Sequence, residues 1–105
     1  MNATLPPTLA EVRARIAPLC QRYPIRRLEV FGSVAQGTAQ PGSDVDLLVT
    51  LDGAVSTGQL LDMAGEAEEL IGVPVDFVLR ENVEAASRTD RRREMLQSAV
   101  CIYGG

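Results

Sequence analysis

Apolar positions along the chain follow two rhythms. From Leu9 to Tyr23 they recur at helical spacing, with Leu9, Val12, Ile16, Leu19, Cys20 and Tyr23 on one stripe, which predicts an amphipathic helix. Thr8-Leu9-Ala10-Glu11 carries the capping-box pattern that starts such a helix. Pro18 lies inside it and is expected to kink or shorten it, at about 3 kcal/mol relative to alanine; Pro24 ends it. A second stripe runs through Leu60, Met63, Ala64, Ala67, Leu70 and Ile71. Ser56 or Thr57 can cap that helix, and Gly72 is placed to end it in the left-handed conformation. Glu81 to Gln97 predicts a last, strongly polar helix.

Between the helices the pattern becomes that of strands: Leu28–Phe31, about Asp44–Thr50, Val73–Leu79 and Ala99–Tyr103. Leu47, Leu48 and Val49 are apolar on both faces, as in a strand covered on two sides. Pro74 is tolerated at a strand start. Val75, Phe77 and Leu79 share one face of their strand, which turns Asp76 and Val78 to the other. Helix–strand–short helix–strand–helix–strand–helix–strand predicts an α/β (α+β) domain, a small mixed β-sheet with helices packed against it. A chain of 105 residues is read as one domain, 1–105, with residues 1–7, around Pro6-Pro7, as a flexible leader.

The connection between the first two strands carries the candidate chemistry. It reads Val30-Phe31-Gly32-Ser33-Val34-Ala35-Gln36-Gly37, continues to Gly42, and ends in Ser43-Asp44-Val45-Asp46. Asp44 and Asp46 project to the same side, about 7 Å apart along the strand. Two carboxylates at the head of an apolar strand repel each other and lose hydration unless a positive charge sits between them, and a hard divalent cation is the usual solution. Gly32 allows close backbone approach, Ser33 can cap the short helix through Val34–Gln36, and the free amides of such a turn suit a phosphate. A Gly-Ser pair alone is ordinarily a turn, and an Asp-x-Asp alone is ordinarily solvated or capping. Ten residues apart, they read as nucleotide chemistry. Asp76, in the middle of an apolar strand, is costly to bury alone. It either faces water or joins Asp44 and Asp46 as a third carboxylate, and we take it as the third carboxylate.

Composition narrows the choices. There is no histidine, which excludes histidine acid–base chemistry, Ser-His-Asp triads and His-ligated zinc. Two cysteines are too few for a structural zinc site. With no export signal, Cys20 and Cys101 read as reduced, buried thiols of a cytoplasmic protein. No apolar run approaches the ~20 residues of a membrane span. A net charge of −4 and a pI near 4.7 argue against broad binding to a nucleic-acid backbone. Arg26-Arg27 reads as a solvated linker or a contact to phosphate or an acidic partner. Glu66, Glu68 and Glu69 read as a solvated face. Arg91-Arg92-Arg93 does too, or else docks a partner or phosphate.

The run FGSVAQGTAQPGSDVDLLV resembles the signature of minimal nucleotidyltransferases, small members of the DNA polymerase β-like nucleotidyltransferase superfamily. Gly32, Ser33, Gly37, Ser43, Asp44 and Asp46 fall on that pattern, and a third acidic residue on the strand after the intervening helix corresponds to Asp76. One position departs from it, since the family commonly has Arg where this chain has Gln36. The resemblance implies the polymerase β-like nucleotidyltransferase fold and attack on the α-phosphate of ATP or another nucleoside triphosphate, with pyrophosphate leaving. It implies two Mg²⁺ ions held by Asp44, Asp46 and Asp76, and phosphates held at Gly32, Ser33, Gly37 and Ser43. Free-standing proteins resembling this one are typically antitoxins that transfer AMP to a tyrosine hydroxyl of a HEPN-domain toxin. That implies a HEPN toxin as partner, with no direct nucleic-acid or membrane binding. Two alternatives stay open at this point. One is a catalytically weak antitoxin that acts by binding alone, and the other is an enzyme modifying small molecules such as antibiotics.

Overall fold

The structure is a computed structural model and describes residues 6–85 and 96–104. Residues 1–5, most of the last expected helix and Arg91-Arg92-Arg93 lie outside the described residues. The elements follow in the order α1 (Leu9–Arg22), β1 (Ile25–Phe31), α2 (Gly32–Gln36), β2 (Val45–Leu51), α3 (Thr57–Ile71), β3 (Val75–Leu79), α4 (Arg80–Ala85) and β4 (Val100–Gly104).

Local signals start and stop the two long helices. Glu11 N donates to Thr8 Oγ1 at 3.1 Å, and Thr8 N donates to Glu11 Oε1 at 3.0 Å, which closes the capping box of α1. Ser56 and Gln59 repeat the arrangement on α3, so Ser56 rather than Thr57 is the cap. Gly72 ends α3 at φ 87°, a left-handed conformation that glycine adopts without strain. Pro18 does not shorten α1, which runs through it to Arg22. Its ring and the residue four positions back, Ala14, are both exposed, so water can reach the carbonyl that loses its partner.

The four strands form one mixed sheet in the order β3-β2-β1-β4. β1 is antiparallel to β2 and β4, while β2 and β3 run parallel, joined by α3. On one face Leu28, Val30, Val45, Leu47 and Val49 pack against Val12, Ile16 and Leu19 of α1 and Met63, Ala67 and Ile71 of α3. Val75, Phe77 and Leu79 join this core from β3, as their alternation requires. On the other face Phe31, Leu48 and Val83 form a smaller cluster with Val78, Leu96 and Ala99. Both faces of β2 are therefore covered. Arg15 Nη1 donates to the Ile71 carbonyl at 2.8 Å and Arg22 pairs with Glu66, tying α1 to α3.

Several expectations need correction. Glu66 is not a solvated residue, because Arg22 draws it into the α1–α3 contact. β1 begins at Ile25, which is buried and paired with Leu51, so Arg26 and Arg27 belong to the strand rather than to a linker. Cys20 is buried and its thiol is pushed up to about 11 by burial, but Cys101 is exposed on the edge strand β4. Pro7 is not free leader; it is buried, and with Pro6 it lines a cleft of about 390 Å³ against Val34, Ala35 and Gln36.

Candidate active site

The site sits where β1 ends. α2 starts at Gly32 with Phe31 as its N-cap, and no side chain among the described residues caps it. Ser33 is thus the second residue of the helix and not the cap expected of it; Phe31 already holds the extended backbone of that position. Gly32 has φ +74°, and a Cβ built on it would collide with Asp46 Oδ2, with Asp46 Cγ at 3.4 Å. Only glycine meets both conditions. The carboxylate of β2 thereby lies directly against the Gly32–Ser33 turn.

Gly37 ends α2 at φ 74°, its N–H turned back to the Ser33 and Val34 carbonyls. The chain then loops to Ser43, whose Oγ accepts from Gln40 N at 3.0 Å while its own N–H donates to the Gln40 carbonyl at 2.9 Å. The Ser43 hydroxyl is therefore engaged in shaping the loop that delivers Asp44. Gln36 is exposed at the end of α2.

Asp44 is exposed, one residue before β2, and Asp46 is half-buried within it. The parallel register pairs Asp46 with Asp76, and the antiparallel register pairs Asp46 with Phe31. Paired residues point to the same face, so Phe31, Asp46 and Asp76 form one row across three strands. Asp76 is itself exposed, because β3 is an edge strand. Burial pushes the Asp46 carboxyl above the usual range, and the Asp76 and then the Asp44 carboxylates push it further.

Among the described residues no three Asp, Glu, His or Cys side chains close into a ready cage for a metal. The carboxylates form an open, all-oxygen, like-charged array. Such a donor set fits Mg²⁺, which takes one or two carboxylates from a protein and fills its other positions with water and substrate phosphate.

One functional candidate escaped the sequence reading. Glu29 of β1 is 3% exposed, the one buried charged side chain among the described residues. Arg80 Nη1 donates to its Oε1 at 2.5 Å, and Arg27 Nη2 lies 3.6 Å from its Oε2. The signal was present: a glutamate between Leu28 and Val30 poses the same burial problem as Asp76.

Residues 16–101 match the family model described as a nucleotidyltransferase domain. The protein adenylyltransferase MntA of Thermococcus cleftensis is 31% identical over 78 residues, covering 74% of this chain and 79% of that protein. A solved structure described as a minimal nucleotidyltransferase superposes with a TM-score of 0.68 at 34% identity, covering 90% of this chain and 95% of that one. A solved complex of a tri-AMPylated Shewanella oneidensis HEPN toxin with an MNT antitoxin contains a chain of the same fold. There the TM-score is 0.61 at 14% identity, over 93% of this chain and 74% of that one.

Proposed function

The chain belongs to the nucleotidyltransferase domain family and is a nucleotidyltransferase, and on that footing we propose that it transfers AMP from ATP to a tyrosine hydroxyl of a HEPN-domain toxin and so neutralises it. The observation that carries this reading is the row in which Asp76 faces Asp46 beside the Gly32–Ser33 turn. In this reading Asp44, Asp46 and Asp76 would hold two Mg²⁺ ions, which would supply positive charge to offset that of the reacting phosphate. The amides of Gly32 and Ser33 and the Ser33 hydroxyl bind the β- and γ-phosphates. Gly37 and Ser43 shape the connecting loop that delivers Asp44. The acceptor oxygen forms a bond to the α-phosphorus as pyrophosphate departs.

What the relatives do supports the choice of acceptor. The Thermococcus protein is a protein adenylyltransferase, and the Shewanella toxin carries AMP in its complex with an MNT antitoxin. A net charge of −4 fits a protein acceptor better than a nucleic acid, and free cysteines fit a cytoplasmic location. The test is to mix the chain with its HEPN partner, ATP and Mg²⁺, then read partner mass and RNA cleavage together. We expect whole adenylyl increments on the partner and loss of its nuclease activity. Neutralisation without any mass change would replace this reading with binding alone.

Gln36 allows a second check. A cation at the end of α2 would reach the triphosphate, and one charge-assisted contact is worth about 1.5–3 kcal/mol. Gln36→Arg should therefore tighten ATP binding by roughly tenfold to a hundredfold in a titration. No tightening would mean that the phosphates do not run past the end of α2.

A further inference from the structure

β3 is short and, among the described residues, lies at the edge of the sheet and is paired only to β2. Its alternation of Val75, Phe77 and Leu79 against Asp76 and Val78 forbids a one-residue slip, which would turn Asp76 into the core. A slip of two residues keeps every side chain on its own face, yet it carries Asp76 away from Asp46 by about 7 Å. Hydrophobic patterning cannot prevent that slip, and Val75, Phe77 and Leu79 are only half-buried. The short Gly72–Pro74 connection holds the start of β3, and a specific contact at its far end would set the register there.

We propose that the Glu29–Arg80 ion pair is the register lock of β3, and that Glu29 and Arg80 are positioning residues for Asp76. Arg80 directly follows β3, and its guanidinium reaches across β2 to Glu29 on β1 at 2.5 Å. The Glu29 side chain is 4% exposed and that of Arg80 25%, so the contact is largely shielded from water. Arg27 faces the second carboxylate oxygen at 3.6 Å and holds Glu29 in place from its own strand. The end of β3 is thereby fixed to β1, two strands away, and Asp76, four residues earlier, is fixed opposite Asp46. A directed charge contact has one satisfying register, where the alternation of apolar and polar residues has several.

This inference rests on the proposed role of Asp76, but the strand contacts that test it do not. Arg80→Met keeps the aliphatic stem and removes the charge, while Arg80→Lys keeps the charge. Cross-strand backbone NOEs between Asp46 and Asp76 report the β2–β3 register, and those between Phe31 and Asp46 report whether the rest of the sheet is intact. In Arg80→Met we expect the Asp46–Asp76 contacts to vanish and β3 amide exchange to rise at least tenfold, with the Phe31–Asp46 contacts retained. Arg80→Lys should restore the β2–β3 contacts. In the transfer assay Arg80→Met should lower kcat at least tenfold with KM for ATP within twofold, since the triphosphate rests on Gly32 and Ser33. Retention of the Asp46–Asp76 contacts in Arg80→Met overturns the lock. Loss of the Phe31–Asp46 contacts along with them also overturns it, because the pair would then be supporting the whole sheet. A wild type with the native register but no nucleotide transfer counts against the proposed function alone, and the strand contacts still decide the lock.

Discussion

Asp46→Asn is expected to leave a folded, slightly more stable protein that no longer transfers nucleotide. Asp46 faces Asp76 across the ladder, and like charges directly opposite each other cost roughly 0.2–1 kcal/mol. Asparagine keeps the shape and removes the repulsion, so the melting temperature without divalent cations should rise by a few degrees. The sign of the pH effect follows from the upward shift of the Asp46 carboxyl. A group whose folded-state pKa is raised contributes stability below its unfolded value and loses that contribution as pH rises through the folded one. Wild type without divalent cations should therefore lose stability as pH climbs out of the acidic carboxylate range, and Asp46→Asn should lose less. Transfer moves the other way. Removing a charged ligand from the proposed Mg²⁺ site forfeits several kcal/mol of transition-state stabilisation, a loss of roughly a hundredfold or more. Melts across pH and transfer of labelled AMP measure both effects. An Asp46→Asn protein less stable than wild type at neutral pH would show that Asp46 is a structural partner and not a strained ligand.

Gly32→Ala should damage stability and activity together, and Gly37→Ala supplies the contrast. Both glycines have φ near 74°, so alanine costs about 1–2 kcal/mol of backbone strain at either position. At Gly37 a Cβ meets nothing within 4 Å. At Gly32 it would strike the Asp46 carboxylate, forcing either the turn or the proposed ligand out of place. We expect Gly37→Ala to lose only the strain, while Gly32→Ala loses more stability and at least tenfold in transfer rate. Paired melts and rates decide it, and equal losses at the two glycines would remove any importance from the Gly32–Asp46 contact.

The order of elements and the two apolar stripes could be read from the chain because burial imposes a period on it. The same alternation turns Asp76 away from Val75, Phe77 and Leu79, while its place beside Asp46 follows from the register of β2 against β3. What stayed hidden depends on contacts between distant residues. Glu66 looked solvated because its partner, Arg22, lies on another helix. Arg26 and Arg27 looked like a linker because charged residues weaken a strand pattern, yet pairing with β2 carries the strand back to Ile25. Ser33 looked like a cap from its residue type, but the backbone turns two residues earlier, at Phe31. Glu29 stands alone between Leu28 and Val30 with no spacing to pair it, because its partner Arg80 lies 51 residues away in the chain.

The packing of β3 against the core of α1 and α3 has an energetic consequence for the row of carboxylates. Val45, Leu47 and Val49 are buried against α1 and α3, with Val75, Phe77 and Leu79 packed beside them. Strand alternation then leaves Asp46 and Asp76 no choice but to meet on the far side. Fully burying one such side chain releases about 1.5–3 kcal/mol, whereas holding two carboxylates opposite each other costs about 0.2–1 kcal/mol. A single core residue thus supplies more work than the charge compression consumes. The sheet acts as a lever, loaded by close packing against α1 and α3 on one side and holding like charges together on the other against their tendency to part.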